Sequence, residues 1–277
     1  MMRLPMFVAT MVGLAVTALA PACTYAFEQK PWYGYAFELE SRPIVYYSSY
    51  TKIDTAIGSV RRPSNDIFAT VALGAAVFQR WHVEAEIHLV HTSAHDISVG
   101  HTAVAARYLW FDDVIGDPLS LTTGVAVIVP VGEPDLSLRY HGNVGTEGHI
   151  AIGKELSCGM MWAWRWWMLA GLGIADEGDP WARGRIALEK NNYDCWHVEL
   201  FAEAFAGLGN QNLRLTTPFQ GYNKIAHRSV DMGAAYTCYL EWLCVDVTAS
   251  YQYRIYSENA PEAVHTAMLA FRIPISL

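Results

Sequence analysis

Apolar and polar residues alternate along most of this chain, in segments of about ten residues. In the clearest segment, residues 81–89, the odd positions carry only apolar side chains. The even positions are His82, Glu84, Glu86 and His88. Because successive side chains of a β-strand point to opposite faces, this pattern predicts a strand with one apolar face and one charged face.

Segments of this kind follow one another to the end of the chain, and we count about twelve. Their ranges are 33–46, 67–78, 81–92, 100–112, 118–131, 147–158, 164–174, 183–192, 195–206, 228–239, 244–256 and 265–277. Short joints alternate with longer polar joints, which are 47–66, 93–99, 132–146, 175–182, 207–227 and 257–264. This regularity predicts an all-β fold, an antiparallel transmembrane β-barrel with short periplasmic turns and longer extracellular loops.

Most tryptophans lie beside the short joints or at the start of the first segment. They are Trp32, Trp81, Trp110, Trp162, Trp164, Trp166, Trp167, Trp196 and Trp242. Because indole rings prefer the membrane–water boundary, this clustering indicates an aromatic girdle at one interface.

The last segment has apolar residues at every second position on one face. Leu269, Phe271, Ile273, Ile275 and Leu277 share that face with Ala267. A final strand of this kind resembles the assembly signal of Gram-negative outer-membrane barrels, although those chains usually end in Phe. The resemblance implies a porin-like fold and the barrel-assembly machinery as a partner.

A narrower resemblance covers roughly residues 100–190. Residues 105–113 read AARYLWFDD, and 116–121 and 127–132 read GDPLSL and VIVPVG. These motifs resemble transporter barrels associated with the MetA pathway of phenol degradation. The resemblance implies uptake of small molecules and brings no catalytic residue with it.

The N-terminus has the pattern of a Sec-type signal peptide. Arg3 precedes an apolar run from Met6 to Ala20, and Thr24-Tyr25-Ala26 offers small residues for cleavage. We expect a signal peptide at residues 1–26, followed by a single barrel domain at 27–277 in the outer membrane. An uncleaved helical anchor and lipoprotein processing at Cys23 are the alternatives.

Charge narrows the range of partners. The chain has 19 basic and 27 acidic residues and no basic run, so we expect no nucleic-acid binding. The sequence contains no nucleotide-binding loop and no zinc-ligand spacing. We predict no cofactor and no metal site.

Ionisable residues recur on the polar face of the predicted strands. An Arg or Lys facing lipid at mid-depth costs about 2–4 kcal/mol, so these groups should line an aqueous lumen and select solutes. The candidates are His82, Glu84, Glu86, His88, Arg107, His149, Glu155, Arg165, Arg185, Glu189, His197, Glu199, Glu203, Asp231, Asp246, Arg254 and Arg272. The alternative is a network of ion pairs that fills a narrow barrel. Arg165 also argues against a membrane helix over 158–175, so we predict a hairpin there.

Four cysteines follow the predicted signal peptide, each at or next to a short joint. Cys238 and Cys244 flank one joint and could form a disulfide if their Cα atoms come within about 7 Å. The alternatives are free thiols or disulfide links to neighbouring envelope proteins.

Together these patterns predict a porin-like outer-membrane channel that contacts lipid and passes small polar or weakly amphipathic solutes through a charged lumen. The alternative is a closed structural or adhesive envelope barrel that acts through its external loops. An outer-membrane enzyme is a third class, but no serine lies in a nucleophile-elbow pattern and we predict no catalytic residue. A soluble periplasmic β-sandwich or lipocalin-like binder would place its apolar face inside.

Overall fold

The computed structural model describes residues 27, 29–32, 37–158, 161–192, 195–215 and 219–275. One antiparallel sheet contains all of the strands. They are β1 (Leu39–Thr55), β2 (Gly58–Phe78), β3 (Trp81–His91), β4 (Ser98–Phe111), β5 (Ser120–Pro130), β6 (Gly145–Cys158), β7 (Met161–Ala175), β8 (Trp181–Asn192), β9 (Trp196–Gly207), β10 (Arg228–Leu240), β11 (Val245–Glu258), β12 (Pro261–Glu262) and β13 (His265–Ile275).

The sheet closes on itself because β1 pairs with both β2 and β13. Every other long strand pairs with its neighbours in chain order. The short β12 is an addition of two residues that pairs with the far end of β1. The twelve long strands therefore form a closed antiparallel barrel, and the predicted fold class is confirmed.

The first hairpin differs from the prediction. Residues 47–66 were expected to form a long loop, but β1 and β2 continue through them and join at Ala56-Ile57. Backbone pairing does not require apolar side chains, so a strand can extend beyond the lipid-facing band with polar residues. Strand β1 begins at Leu39, so residues 37 and 38 of the predicted first strand are not strand, and residues 33–36 lie outside the described residues.

The outer face of the barrel is apolar and the inner face is charged. On β3, the exposed fractions of Trp81, Val83, Ile87 and Leu89 lie between 38% and 53%, whereas those of His82, Glu84, Glu86 and His88 do not exceed 4%. This is the inverse of a soluble barrel. Lipid rather than water suits such an outer surface.

The tryptophans divide between the two faces. Trp81, Trp110, Trp164 and Trp242 are exposed on the outside, as a girdle requires. Trp32, Trp162 and Trp167 instead contact charged side chains of the interior. The predicted girdle is wrong for these three, because closeness to a turn fixes the height of a residue but not its face.

Residues 161–175 form strand β7 and pair with β6 as a hairpin, which confirms that prediction. In the described part of the chain, no helix has the length and apolar character needed to cross a membrane.

Strand β13 presents Leu269, Ile273 and Ile275 on the outer face, with exposed fractions of 40%, 36% and 37%. Leu277 lies outside the described residues. Met268, on the opposite face, packs against an inner cluster that includes Ile44 and Tyr46.

We expect Leu269→Arg to reduce the membrane-inserted fraction strongly, because a lipid-facing Arg at mid-depth costs about 2–4 kcal/mol. Met268→Gln, on the inner face, should have a much smaller effect. The folded fraction can be measured by heat-modifiable migration of membrane extracts on a gel. Equal losses in the two variants would contradict the assignment of the faces.

Candidate functional site

Each of the seventeen predicted lumen residues is buried or half-buried on the inner face of the barrel. Most of the carboxylates lie in ion pairs. Examples are Arg183–Glu147 at 2.8 Å, Arg254–Asp231 at 2.8 Å and Arg165–Glu155 at 2.7 Å. The interior is thus a network of paired charges rather than a ring of free carboxylates.

Strand register creates several of these pairs. Arg165 lies directly opposite Glu155 on β6, and Arg254 lies directly opposite Asp231 on β10. Directly opposed residues on one face have Cβ atoms about 5 Å apart, which suits an ion pair. Alternation along the sequence placed these residues on the inner face, but register determined their partners.

The sequence analysis missed several charged interior residues. They are Lys30, Glu40, Arg42, Arg139, Glu147 and Arg183. Arg183 shares the face of Arg185 by simple alternation, so the pattern could have found it. Lys30 and Arg139 lie outside the strands, where period two carries no information.

Residues 27 and 29–32 lie inside the barrel. Phe27 is buried against inner-face residues of β4 and β5, including Ala103 and Ala126. The backbone oxygen of Lys30 accepts a hydrogen bond from Arg107, and the Trp32 indole donates to Asp113 at 2.9 Å. Residues 27 and 29–32 are called the N-terminal segment below. The segment precedes the first predicted strand, and its place in the lumen was not predicted.

The loop at 131–144 also folds inward. Leu138 and Tyr140 are buried against Ile44, Phe68 and other inner-face residues. Gly100 allows this approach, since a Cβ there would lie 2.5 Å from the Tyr140 hydroxyl. We call residues 131–144 the inner loop.

Polar contacts hold the inner loop to the barrel wall and to a second long loop. Arg139 donates to Asp231 at 3.2 Å and lies 4.8 Å from the ring centre of Phe205. The Tyr222 hydroxyl, from the loop at 208–227, donates to the Leu136 carbonyl at 2.8 Å. These contacts fill the lumen at the long-loop end.

The other end is open. A vestibule of about 1010 Å³ is lined by short-turn residues such as Arg80, Asp112 and Asp117. A second cavity of about 300 Å³ lies deeper, and both cavities are lined by Lys30, Arg165, Asp246 and Arg272. Beneath the inner loop, beside Tyr50 and Tyr222, the described residues leave a void of about 20 Å³. A further cavity of about 780 Å³ lies among long-loop residues that include Gln211, Phe219 and Lys224. It shares no lining residue with the two cavities of the short-turn end, so the packed loops close the lumen between them.

Glu40, His82 and Glu84 form a cluster whose ligand-type atoms lie within 4.8 Å of one another. Arginines already neutralise both carboxylates. Arg42 contacts Glu84 and Glu40, and Arg272 lies 2.6 Å from Glu40. The cluster therefore fits ion pairs, and we assign no metal to it.

Of the alternatives that the sequence leaves open for Cys238 and Cys244, the structure shows free thiols. Cys238 pairs with Val247 in the strand register, whereas Cys244 lies in the turn with φ of 52°. There its thiol lies 3.5 Å from the carbonyl oxygen of Glu241. One cysteine thus lies in the strand and the other in the turn, and no bridge joins them.

Two histidines lie in the packed loops at the closed end. The His141 ring stacks on Trp181 with ring centres 4.7 Å apart, and on His227 with centres 5.0 Å apart. Burial lowers the pKa of His141 to about 4. Burial also lowers the pKa of His227 well below its usual value, and the nearby charges of Arg139 and Arg254 act in the same direction.

We expect the packed loops to loosen in acid. A His whose pKa is lowered by folding stabilises the fold above its unfolded pKa of about 6.5, and loses that contribution as the pH falls toward the folded value. For His141 the loss reaches about 3 kcal/mol at pH 4. Hydrogen exchange of residues 131–144, corrected for intrinsic rates, should rise between about pH 7 and about pH 5. A variant with His141→Phe and His227→Phe should lack that rise, and a wild-type protein without it would refute the expectation.

The fold is similar to those of solved outer-membrane channels and porins. The COG4313 outer membrane channel from Pseudomonas putida F1 aligns with a TM-score of 0.70 and 9% identity, over 91% of this chain and 100% of that chain. The NanC porin aligns at 0.54 with 8% identity, over 86% and 100%. The KdgM porin in complex with disordered oligogalacturonate aligns at 0.52 with 6% identity, over 84% and 99%.

No protein-family model matches the sequence, and neither does any curated protein. The narrower resemblance at residues 100–190 therefore stays a prediction. The general resemblance to outer-membrane barrels is confirmed at the level of the fold. This chain has the fold of outer-membrane channel barrels.

Proposed function

We propose that this protein is an outer-membrane channel for small polar or weakly amphipathic solutes, and that the structure represents its closed state. The observation that carries the proposal is the charged interior with its two adjoining cavities. A barrel that served only as a scaffold could fill its interior with apolar side chains at lower cost, because buried ion pairs are often less stabilising than well-packed hydrophobic residues. The fold shared with solved channels supports the same function.

We infer the closed state from the position of the packed loops in the lumen. The vestibule and the deeper cavity give solutes access from the short-turn end as far as the middle of the lumen. The inner loop and the loop at 208–227 block the remaining path. Channel opening therefore requires displacement of loop residues rather than of barrel strands. No catalytic residue is needed for this function.

The second candidate function is a closed structural or adhesive barrel. The packed loops favour it, because they would hold a barrel permanently shut. The two candidates differ in one measurable property, which is whether ions cross the inserted protein.

Conductance in a planar bilayer tests the proposal. We expect the purified protein to insert and to show brief, small openings in symmetric salt, because the loop contacts are noncovalent. Heat-modifiable migration would verify that the sample is folded. A folded, inserted protein that never conducts, even after its inner loop has been loosened, would favour the closed barrel.

Export and processing are part of this proposal. The N-terminal segment can lie inside the barrel with Phe27 as its first residue, and this supports cleavage after Ala26. Intact-mass analysis of membrane-extracted protein should give the mass of residues 27–277. A mature protein that retains Met1 would contradict the assignment.

A further inference from the structure

Lys30 occupies a site whose acidic groups belong to the barrel wall. Its Nζ lies 2.8 Å from Oε1 of Glu189 and 3.2 Å from Oε2 of Glu199. Glu189 and Glu199 lie directly opposite each other on β8 and β9. Because like charges in directly opposed positions destabilise a sheet, these two carboxylates require a neighbouring cation.

The barrel wall supplies only part of the positive charge that these carboxylates need. Arg185 donates to Oε1 of Glu199 at 2.7 Å and lies 3.7 Å from Glu203. Arg165 lies directly opposite Glu189 in register, but its ion pair is with Glu155 at 2.7 Å. Among the ion pairs of Glu189 and Glu199, the barrel wall therefore contributes Arg185, and the N-terminal segment contributes Lys30.

Glu189 has capacity for a further donor. It is fully buried, and its Oε1 accepts a hydrogen bond from the Trp167 indole at 2.7 Å in addition to the contact with Lys30. Its second oxygen, Oε2, is buried and has no hydrogen-bond partner among the described residues. A carboxylate oxygen buried in this way carries a desolvation cost that an N–H donor would relieve.

The surroundings suit a small organic cation. Glu189, Glu199 and Lys30 line the cavity of about 300 Å³, together with the rings of Trp167 and Phe201. A primary ammonium group has three N–H donors, enough to reach both carboxylates. A short alkyl chain attached to it could contact the two rings.

We propose that Glu189 and Glu199 form a binding site for the primary ammonium group of a small organic cation, and that Lys30 fills this site as a tethered competitor. The identification of that cation as a transported solute rests on the proposed channel function. Binding itself does not require conduction. A tethered group acts at an effective concentration in the millimolar range or above, so Lys30 weakens binding of a free amine to the intact protein.

The test is isothermal titration calorimetry of the folded, detergent-solubilised mature protein with n-butylammonium chloride. Lys30→Gln should bind this probe at least about tenfold more tightly than wild type, since the tethered competitor has been removed. Lys154→Gln removes the lysine at Asp113 and should bind like wild type. Tetramethylammonium, which has no N–H donor, should bind Lys30→Gln much more weakly than the primary amine.

The double variant Lys30→Gln, Glu189→Gln should bind n-butylammonium more weakly than Lys30→Gln. The proposal is overturned if Lys30→Gln binds no more tightly than wild type, or if the double variant binds as tightly as Lys30→Gln. Should Lys30→Gln fail to fold, wild type and Glu189→Gln can be compared at higher ligand concentration, where only the wild type should bind. If the protein binds the amine but does not conduct, the binding site stands and the proposed channel function is overturned. If it conducts but does not bind the amine, only the binding-site proposal is overturned.

Discussion

Replacing Leu138, Arg139 and Tyr140 of the inner loop with glycine should convert the closed barrel into a conducting one. The change removes two buried apolar side chains, each worth about 1.5–3 kcal/mol, and the contact of Arg139 with Asp231. A loss of about 3 kcal/mol shifts the ratio of closed to open molecules by about 100-fold. Open probability in planar bilayers should rise accordingly.

A matched control is Glu177→Gly, an exposed position on the loop between β7 and β8. It adds a glycine to a neighbouring loop and removes none of the inner-loop side chains named above, so its open probability should match that of wild type. If the triple variant folds and inserts yet stays silent, the inner loop is not the barrier. The N-terminal segment would then be the next segment to displace.

Glu147→Gln should destabilise the barrel by about 3–5 kcal/mol, the cost of leaving a buried charge without its partner. Glu147 is fully buried and accepts hydrogen bonds from Arg183 at 2.8 Å and from the Trp181 indole at 3.2 Å. The neutral amide cannot balance the Arg183 guanidinium, which is itself buried. Urea unfolding in detergent micelles, followed by tryptophan fluorescence, would measure the change in the free energy of unfolding.

Two further variants test whether that loss of stability comes from burial of the ion pair. Glu258→Gln removes the exposed partner of Arg228 and should cost less than about 1 kcal/mol. A double change of Glu147→Leu and Arg183→Met should recover much of the stability, because replacing a whole buried pair with apolar residues is often neutral. Similar losses for Glu147→Gln and Glu258→Gln would mean that water reaches the interior pairs, and that the lumen is wider than the closed structure shows.

The ion pairs also change the expected selectivity. Counting inward residues from the sequence predicts a cation preference, since eight acidic residues face five arginines. This count missed the positive charges of Arg42, Arg139, Arg183 and Lys30 and the negative charges of Glu40 and Glu147, so the two signs are closer to balance than it predicts. Selectivity in the open state will depend on which pairs separate when the lumen fills with water.

The sequence alone was sufficient for the number of long strands and for the inner and outer faces of most of them. In β3, charges at every second residue could only be accommodated with one face against lipid and the other inside. In β9, Phe201 breaks that rule on the polar face. The structure gives the reason, because its ring lies 4.0 Å from the guanidinium of Arg185 inside the barrel.

What fills the barrel was decided by tertiary structure. Alternation is a local property, so it predicts the inner face of each strand but not which inner residues meet, and it predicts nothing for segments without alternation. Lys30 joins Glu189 and Glu199 across more than 150 residues of chain, and Arg139 reaches Asp231 across 92. Such contacts depend on the closure of the barrel, the register of its strands and the space left between them. The sequence therefore determined a charged barrel facing lipid. The tertiary structure determined that the inner loop and the loop at 208–227 close its lumen, and that the N-terminal segment lies inside it.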